Sequence, residues 1–282
     1  MLPEATSRLN LRRKVCYSLT WFIVSAWRIE KIMENGICQL CLQERLLCKS
    51  HIIPEFIYKP LYDQSDKNRF YSFRPSSDFV GIHQKGLWQH LFCESCERIF
   101  GAYEDYVAPI YKSGLWEHGE ESRYTDGTIC EGARLLKNLD YRIWKLLFLS
   151  IFWRLGISNK HFHRIELGSH QEAIRQMILT GDAGIETRYG ISVARVTFKN
   201  EHVPALVGGF LTGRASPVTR IHGVILGGYS IDLWLGAEGI EAKFLPFLAR
   251  ENGTQLIPTL EFEKMEALHD LPDRIRSANK PF

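Results

Sequence analysis

The sequence predicts an α+β protein in two parts, a small cysteine-stapled module followed by a helical and antiparallel-sheet domain. Three observations carry this. Cys38-Gln-Leu-Cys41 and Cys93-Glu-Ser-Cys96 are two C-x-x-C pairs. Residues 146–153 hold no charge inside a long apolar stretch, as a buried helix would. From Ile191 to Trp234, short apolar runs rich in β-branched residues are broken by Gly and Pro, which is the pattern of an antiparallel sheet of about four strands.

Taken in order, residues 1–32 stand apart. They carry Arg8, Arg12, Arg13, Lys14, Arg28 and Lys31 against Glu4 and Glu30, a net of +4 in a chain of net +3, so the remaining 250 residues sit near −1. Any nucleic-acid contact must then come from a local basic face and not from the global field. The apolar run Val15 to Trp27 is 13 residues long, short of the roughly 20 that a membrane span needs. Three readings stay open: an upstream extension of a chain that starts at Met33, a short membrane- or partner-binding helix, and a secretory signal. No stable membrane insertion is expected. Seven cysteines, four of them in C-x-x-C pairs, fit thiolates held by metal in a reducing, cytoplasmic setting better than a disulfide framework. Cys16, Cys48 and Cys130 read as small buried hydrophobes or bystanders.

Residues 33–112 form the module. Each C-x-x-C spacer lets two sulfurs face one ion, so the four cysteines can close a tetrahedral structural Zn²⁺ site. The 51 residues between the pairs must form a threaded insert. Leu46 to Ile53 reads as a strand delivering His51, and Glu55 to Tyr58 as a short amphipathic turn after Pro54. Asp63 to Ser77 reads as a loop or exposed hairpin, and Gly81 to Leu91 as the returning strand. Ile99, Phe100, Tyr103, Tyr106 and Val107 predict a helix ending at Pro109.

Residues 113–132 read as a linker, and 133–282 as an α+β accessory domain. Ala133 to Leu155 reads as one long buried helix. Ser169-x-x-Glu172 is a capping-box pattern for the next helix, with Gly181 placed to end it. Gly208-Gly209 and Gly227-Gly228 read as turns or bulges. There is no Gly-rich phosphate loop and no serine-hydrolase elbow. His161-x-His163 fits surface residues or a metal pair.

Cys38-x-x-Cys41, Ser50-His51-Ile52-Ile53-Pro54 and Leu91-Phe92-Cys93-x-x-Cys96 together resemble the zinc-containing branch of the HNH (ββα-metal) endonucleases over roughly residues 36–107. The resemblance implies a ββα-metal module in which His51 is the general base and a divalent cation, Mg²⁺ or Mn²⁺, acts beside it. Three positions depart from that pattern. Ser50 stands where an acidic metal ligand is common. No Asn lies just before the second pair, where Gln84, Gln89 and His90 are the polar candidates, His90 as a ligand or an orienting residue. Glu97 follows the second pair in place of His or Asn, and Glu104 lies seven residues on, near the same helical face. Both carboxylates fit a Mg²⁺ site or a solvated helix face.

Lys59, Lys67, Arg69, Arg74 and Lys85, with aromatics between them, can grip phosphates and stack on bases, or form an ordinary solvated loop. The reading is an HNH-like nuclease, with DNA favoured and a role in restriction or defence implied by the resemblance. The C-terminal domain would then meet a substrate or a protein partner. The alternative is a zinc-stabilised binding module without cleavage. A dithiol redox protein would need a thioredoxin-like βαβ setting, and none surrounds Cys38 or Cys93.

Overall fold

The computed structural model describes residues 34–59, 62, 70–73, 80–83, 86–122, 133–158, 165–202, 207–236, 240 and 242–261. The N-terminal readings, His161 and His163, Cys16 and Cys130 lie outside them, as do Gln84, Lys67, Arg69, Arg74 and Lys85. The chain is mixed α+β with antiparallel sheets. Among the described residues no helix is long and apolar enough to cross a membrane.

The first sheet runs β1 (Glu34–Ile37), β2 (Glu44–His51), β5 (Trp88–Cys93), all antiparallel. Between β2 and β5 come the short helix α1 (Glu55–Tyr58) and a separate hairpin of β3 (Phe70–Phe73) with β4 (Val80–His83). The returning strand therefore begins at Trp88, later than expected. Strand β5 carries a bulge at Leu91, which is passed over between the Cys48–Phe92 and Lys49–His90 pairs. Side chains alternate along a strand, so this extra residue resets the phase between the two strands. Leu47 and Ser50, three apart, both point inward and are buried, while Lys49 and His51 stay partly exposed.

Helix α2 (Glu94–Lys112) starts directly from β5 and runs through Pro109 instead of stopping there. Proline removes one helical N–H bond. Buried Tyr111 holds the last turn by donating to the Leu226 carbonyl and by edge contacts to Phe56 at 5.5 Å and Tyr229 at 6.0 Å. The linker expected at 113–132 is partly folded. It contains α3 (Leu115–His118), and β6 (Glu120–Ser122) pairs with β7 (Ala133–Leu136). Leu115 is fully buried, and Trp116 lies under Arg195, whose guanidinium is 4.7 Å from the ring centre. Burial of these two side chains outweighs the Gly- and Glu-rich composition around them.

The single helix expected over Ala133 to Leu155 is a strand and then a helix. Asp140 caps α4 (Tyr141–Ile157) by accepting the Ile143 amide at 3.0 Å, a start signal that ends any helix upstream. Every residue from Trp144 to Gly156 is buried. Helices α2 and α5 (His170–Thr180) and strands β8 (Gly190–Phe198) and β12 (Tyr229–Leu235) all pack on α4. Gly181 ends α5 in the left-handed conformation at φ 71°, as expected. Ser169 makes no side-chain cap, because its own backbone is helical at φ −62°, ψ −16°, and Glu172 is taken by Arg175 at 2.6 and 2.8 Å.

The large sheet has the order β10 (Gly208–Arg214), β11 (Arg220–Leu226), β12, β8, β14 (Thr259–Glu261), with β9 (Glu201–His202) paired to β8. Most of it is antiparallel, as expected. The addition is β14, which joins β8 in parallel. Gly227 and Gly228, both at positive φ, make the two-residue β11–β12 turn, and β10 is irregular after Gly208. A third sheet, β6-β7-β13, uses β13 (Gln255–Ile257). One hydrophobic core runs from Cys38 and Phe92 through α2, α4 and α5 to Ile231 and Ile257.

Candidate functional site

At one end of the first sheet the four cysteines converge. The knuckle Cys38–Gln43 is a tight turn in which Leu42 N–H bonds the Cys38 carbonyl at 2.8 Å and Cys38 N–H bonds Gln43 at 2.9 Å. Cys93 ends β5 and Cys96 lies in the first turn of α2, so the second pair hangs on a strand–helix corner. The sulfurs of Cys38, Cys41, Cys93 and Cys96 all lie within 4.8 Å of one another, and Cys41 Sγ is 3.9 Å from Cys93 Sγ. A tetrahedral ion with bonds near 2.3 Å requires sulfur–sulfur edges of about 3.8 Å. The set fits a metal such as zinc.

The thiols differ in acidity. Burial pushes Cys38 and Cys96 up. Burial also acts on Cys93, but hydrogen bonding by Ser95, the Cys96 amide, Cys96 and Cys38 outweighs it and brings Cys93 down to about 6. Hydrogen bonding therefore favours the thiolate form at Cys93. Cys48 is a half-buried free thiol, raised mainly by burial, and is not part of the cluster.

His51 ends β2 at the other side of the module. Its Nε2 lies 3.1 Å from Glu55 Oε2, and both side chains are about a third exposed, 35% and 37%. The other Glu55 oxygen accepts from Tyr62 Oη at 2.8 Å, and Tyr62 in turn receives the Gly86 amide. Burial lowers the His51 pKa below its usual 6.5, with Glu55 and Glu104 pulling it back up and Lys49 and Arg154 pushing it down. The ring is therefore neutral at pH 7. The Glu55 carboxylate beside Nε2 favours a proton on that nitrogen by its charge, although Oε2 accepts no hydrogen bond of normal geometry, and leaves Nδ1 as the basic one.

Arg154 of α4, 2% exposed, fixes this corner from beneath. One guanidinium nitrogen donates to the His51 carbonyl at 2.8 Å and to Glu104 Oε1 at 3.3 Å. The others go to the Ser150 carbonyl and hydroxyl. Glu97 and Glu104 share the inner side of α2, as their spacing implies. Glu97 is raised mainly by burial, with the Ser50 hydroxyl and Arg154 acting against the rise.

The predicted site residues thus divide. His51, Glu97 and Glu104 meet around Arg154. His90 does not join them. It pairs with Lys49, so it shares the outer face of the sheet with Lys49 and, by alternation, with His51, but it takes a different partner. There it lies 3.2 Å from Glu34 and edge-on to Trp88. Lys59 is exposed. Among the described residues the four thiols are the one group of three or more His, Cys, Asp or Glu whose ligand atoms converge. Glu97, Glu104 and His51 therefore do not form a ready Mg²⁺ or Mn²⁺ ligand set.

Glu55, Tyr62 and Arg154 were missed in the sequence. Glu55 carried a signal, being four residues after His51 across Pro54. Arg154 carried none beyond being a charge in an apolar helix.

No family model matches this chain, and no curated protein or solved structure is significantly similar to it.

Proposed function

We propose that this chain is an HNH-like hydrolase of phosphodiester bonds in nucleic acid, DNA favoured, with His51 as general base. The supporting observation is the His51–Glu55 pair: a neutral, partly exposed imidazole held by a carboxylate at the end of a β-strand, beside a helix carrying Glu97 and Glu104. A structural Zn²⁺ on Cys38, Cys41, Cys93 and Cys96 would lock β2, β5 and α2 against one another. It takes no part in the chemistry.

In this reading, water enters at the exposed face of His51. Nδ1 takes its proton as the oxygen attacks phosphorus, the P–O bond opposite breaks, the leaving oxygen takes a proton from solvent, and Glu55 stabilises the imidazolium that forms. Glu55 is itself oriented by Tyr62, and the backbone of His51 by Arg154. Since no ready ligand set for a second cation is present, no step is assigned to one.

A second reading, a zinc-stabilised nucleic-acid- or protein-binding module without cleavage, is favoured by one feature. Arg154 engages Glu104, a carboxylate that a catalytic cation would need. Zinc-loaded protein incubated with plasmid and with single-stranded DNA or RNA, with and without Mg²⁺ or Mn²⁺, separates the two. Cleavage that disappears in His51→Ala upholds the hydrolase. Binding without cleavage under every condition selects the module.

A further inference from the structure

A second polar site lies in the accessory domain, far along the chain from the cysteines. The edge hairpin β10–β11 borders a cavity of about 530 Å³, with Ile165 and Glu166 on its other side. Arg214 pairs directly across the strands with Arg220, and Thr212 with His222. The two pairs are two positions apart, so all four side chains share one face. All four line the cavity.

Two like charges directly opposite on a hairpin repel each other and destabilise it. Nothing on the neighbouring strand relieves this, since Arg220 pairs there with Leu235 and His222 with Leu233. Arg214 donates to the Pro217 carbonyl. Among the described residues no carboxylate forms an ion pair with Arg214 or Arg220.

His222 backs this face of the hairpin. It is 2% exposed, its Nδ1 is 3.0 Å from Thr212 Oγ1, and its Nε2 is buried without a hydrogen bond of normal geometry. The Glu166 main chain is near enough to favour a proton on the ring but is not well aligned with it. With the threonine hydroxyl donating to Nδ1, Nε2 carries the proton and is enclosed against the Glu166 main chain, so the ring supports the cavity face without opening a donor into it. Two guanidinium forks are more donors than a carboxylate can use, and they suit the several oxygens of a phosphate. The cavity is larger than a bare phosphate and within the range of small-ligand sites. Gly213 adds no side chain, and open space lies where its Cβ would be.

We propose that this cavity binds a phosphate monoester attached to a body of nucleoside size, held by Arg214 and Arg220. Glu166 limits the net charge and disfavours more highly charged anions. The source is either a free mononucleotide or the 5′ end of a strand. The proposal does not depend on His51 chemistry.

Calorimetric titration of the zinc-loaded full chain tests it, with four probes: inorganic phosphate, a nucleoside 5′-monophosphate, and a hexanucleotide with and without a 5′-phosphate. Saturable binding of the monophosphate is expected, weakened at least tenfold in both Arg214→Gln and Arg220→Gln. Arg45→Gln, in the zinc module, should leave it unchanged. Both hairpin arginines are exposed, so the variants should fold, and circular dichroism checks this. Tighter binding of the phosphorylated hexamer than of the mononucleotide would assign a strand end, and the reverse order would assign a free nucleotide. The site is refuted if neither phosphorylated probe binds saturably, if both arginine variants bind as the parent does, or if the 5′-hydroxyl hexamer matches the phosphorylated one.

Discussion

The thiolate corner and the histidine corner of the same module are built in opposite ways. The cysteines are brought together by two short C-x-x-C turns and one strand pairing, so all the geometry is local or nearly so. The histidine corner is closed by Arg154, bonded to a carbonyl 103 residues earlier in the chain. The two regions also differ in what fills them. The cysteines leave a tetrahedral gap that suits a cation, whereas around Glu104 a guanidinium already supplies the positive charge. A spacing-coded site can be read from a sequence, while a site completed by a distant helix shows only its near half.

The largest effect should come from breaking the thiolate corner. Cys93→Ser or Cys96→Ser, or removal of the metal by a strong chelator, should cost several kcal/mol, up to roughly 10–16 in small zinc peptides. Urea unfolding with zinc analysis reads this, and Cys48→Ser should match the parent. Full stability with no bound metal would end the idea of a metal staple.

Next is Arg154→Leu. It leaves the His51 carbonyl and the Glu104 carboxylate without their buried partner, at an expected cost of about 3–5 kcal/mol. If the urea midpoint does not move, the arginine is not what closes the histidine corner.

His51→Ala should cut any nuclease rate by about 10²–10⁴ with little change in stability, because the ring is a third exposed. The pH dependence has a definite sign. The His51 pKa in the fold is below 6.5, so the rate should be flat at neutral pH and fall as the ring protonates on acidification. Below 6.5 the unfolded chain binds more protons at this residue than the fold does, so this histidine also makes the protein less stable there. Glu55→Gln removes a charge that raises the His51 pKa and should move the acid limb to lower pH. An acid limb that moves up would contradict the pairing.

Much of the fold was legible where a pattern was strong: the two C-x-x-C pairs, the strand leading to His51, the Gly181 stop, and the Gly227-Gly228 turn. The failures have specific causes. Ala133 to Leu155 merged a strand with a helix because hydrophobicity carried through Asp140, whose capping role is a single-residue signal. Leu115 and Trp116 were lost in a polar stretch although they are anchored in the core. His90 was read as a ligand or orienting residue, but Glu34, 56 residues earlier in the chain, takes its ring, a partner that no local spacing announces.

Ser50 gives the finest test of the difference between the corners. It stands where an HNH nuclease commonly has an acidic metal ligand, yet it is 1% exposed, donates to the Cys48 carbonyl at 3.2 Å and accepts the Phe92 amide at 3.3 Å. It also helps hold the buried Glu97 carboxyl. Ser50→Ala should therefore cost about 1–3 kcal/mol through the groups it leaves unsatisfied. Ser50→Asp would place a second carboxyl beside Glu97. Burial and like charge would raise its pKa, so the variant should be closest to the parent at low pH and lose stability as pH rises through that raised value. Urea midpoints at pH 5 and pH 8 measure this. Recovery of the pH 8 midpoint on adding Mg²⁺ would show that the histidine corner needs only one more carboxylate to take a cation. An unchanged midpoint would show that Arg154 keeps that place.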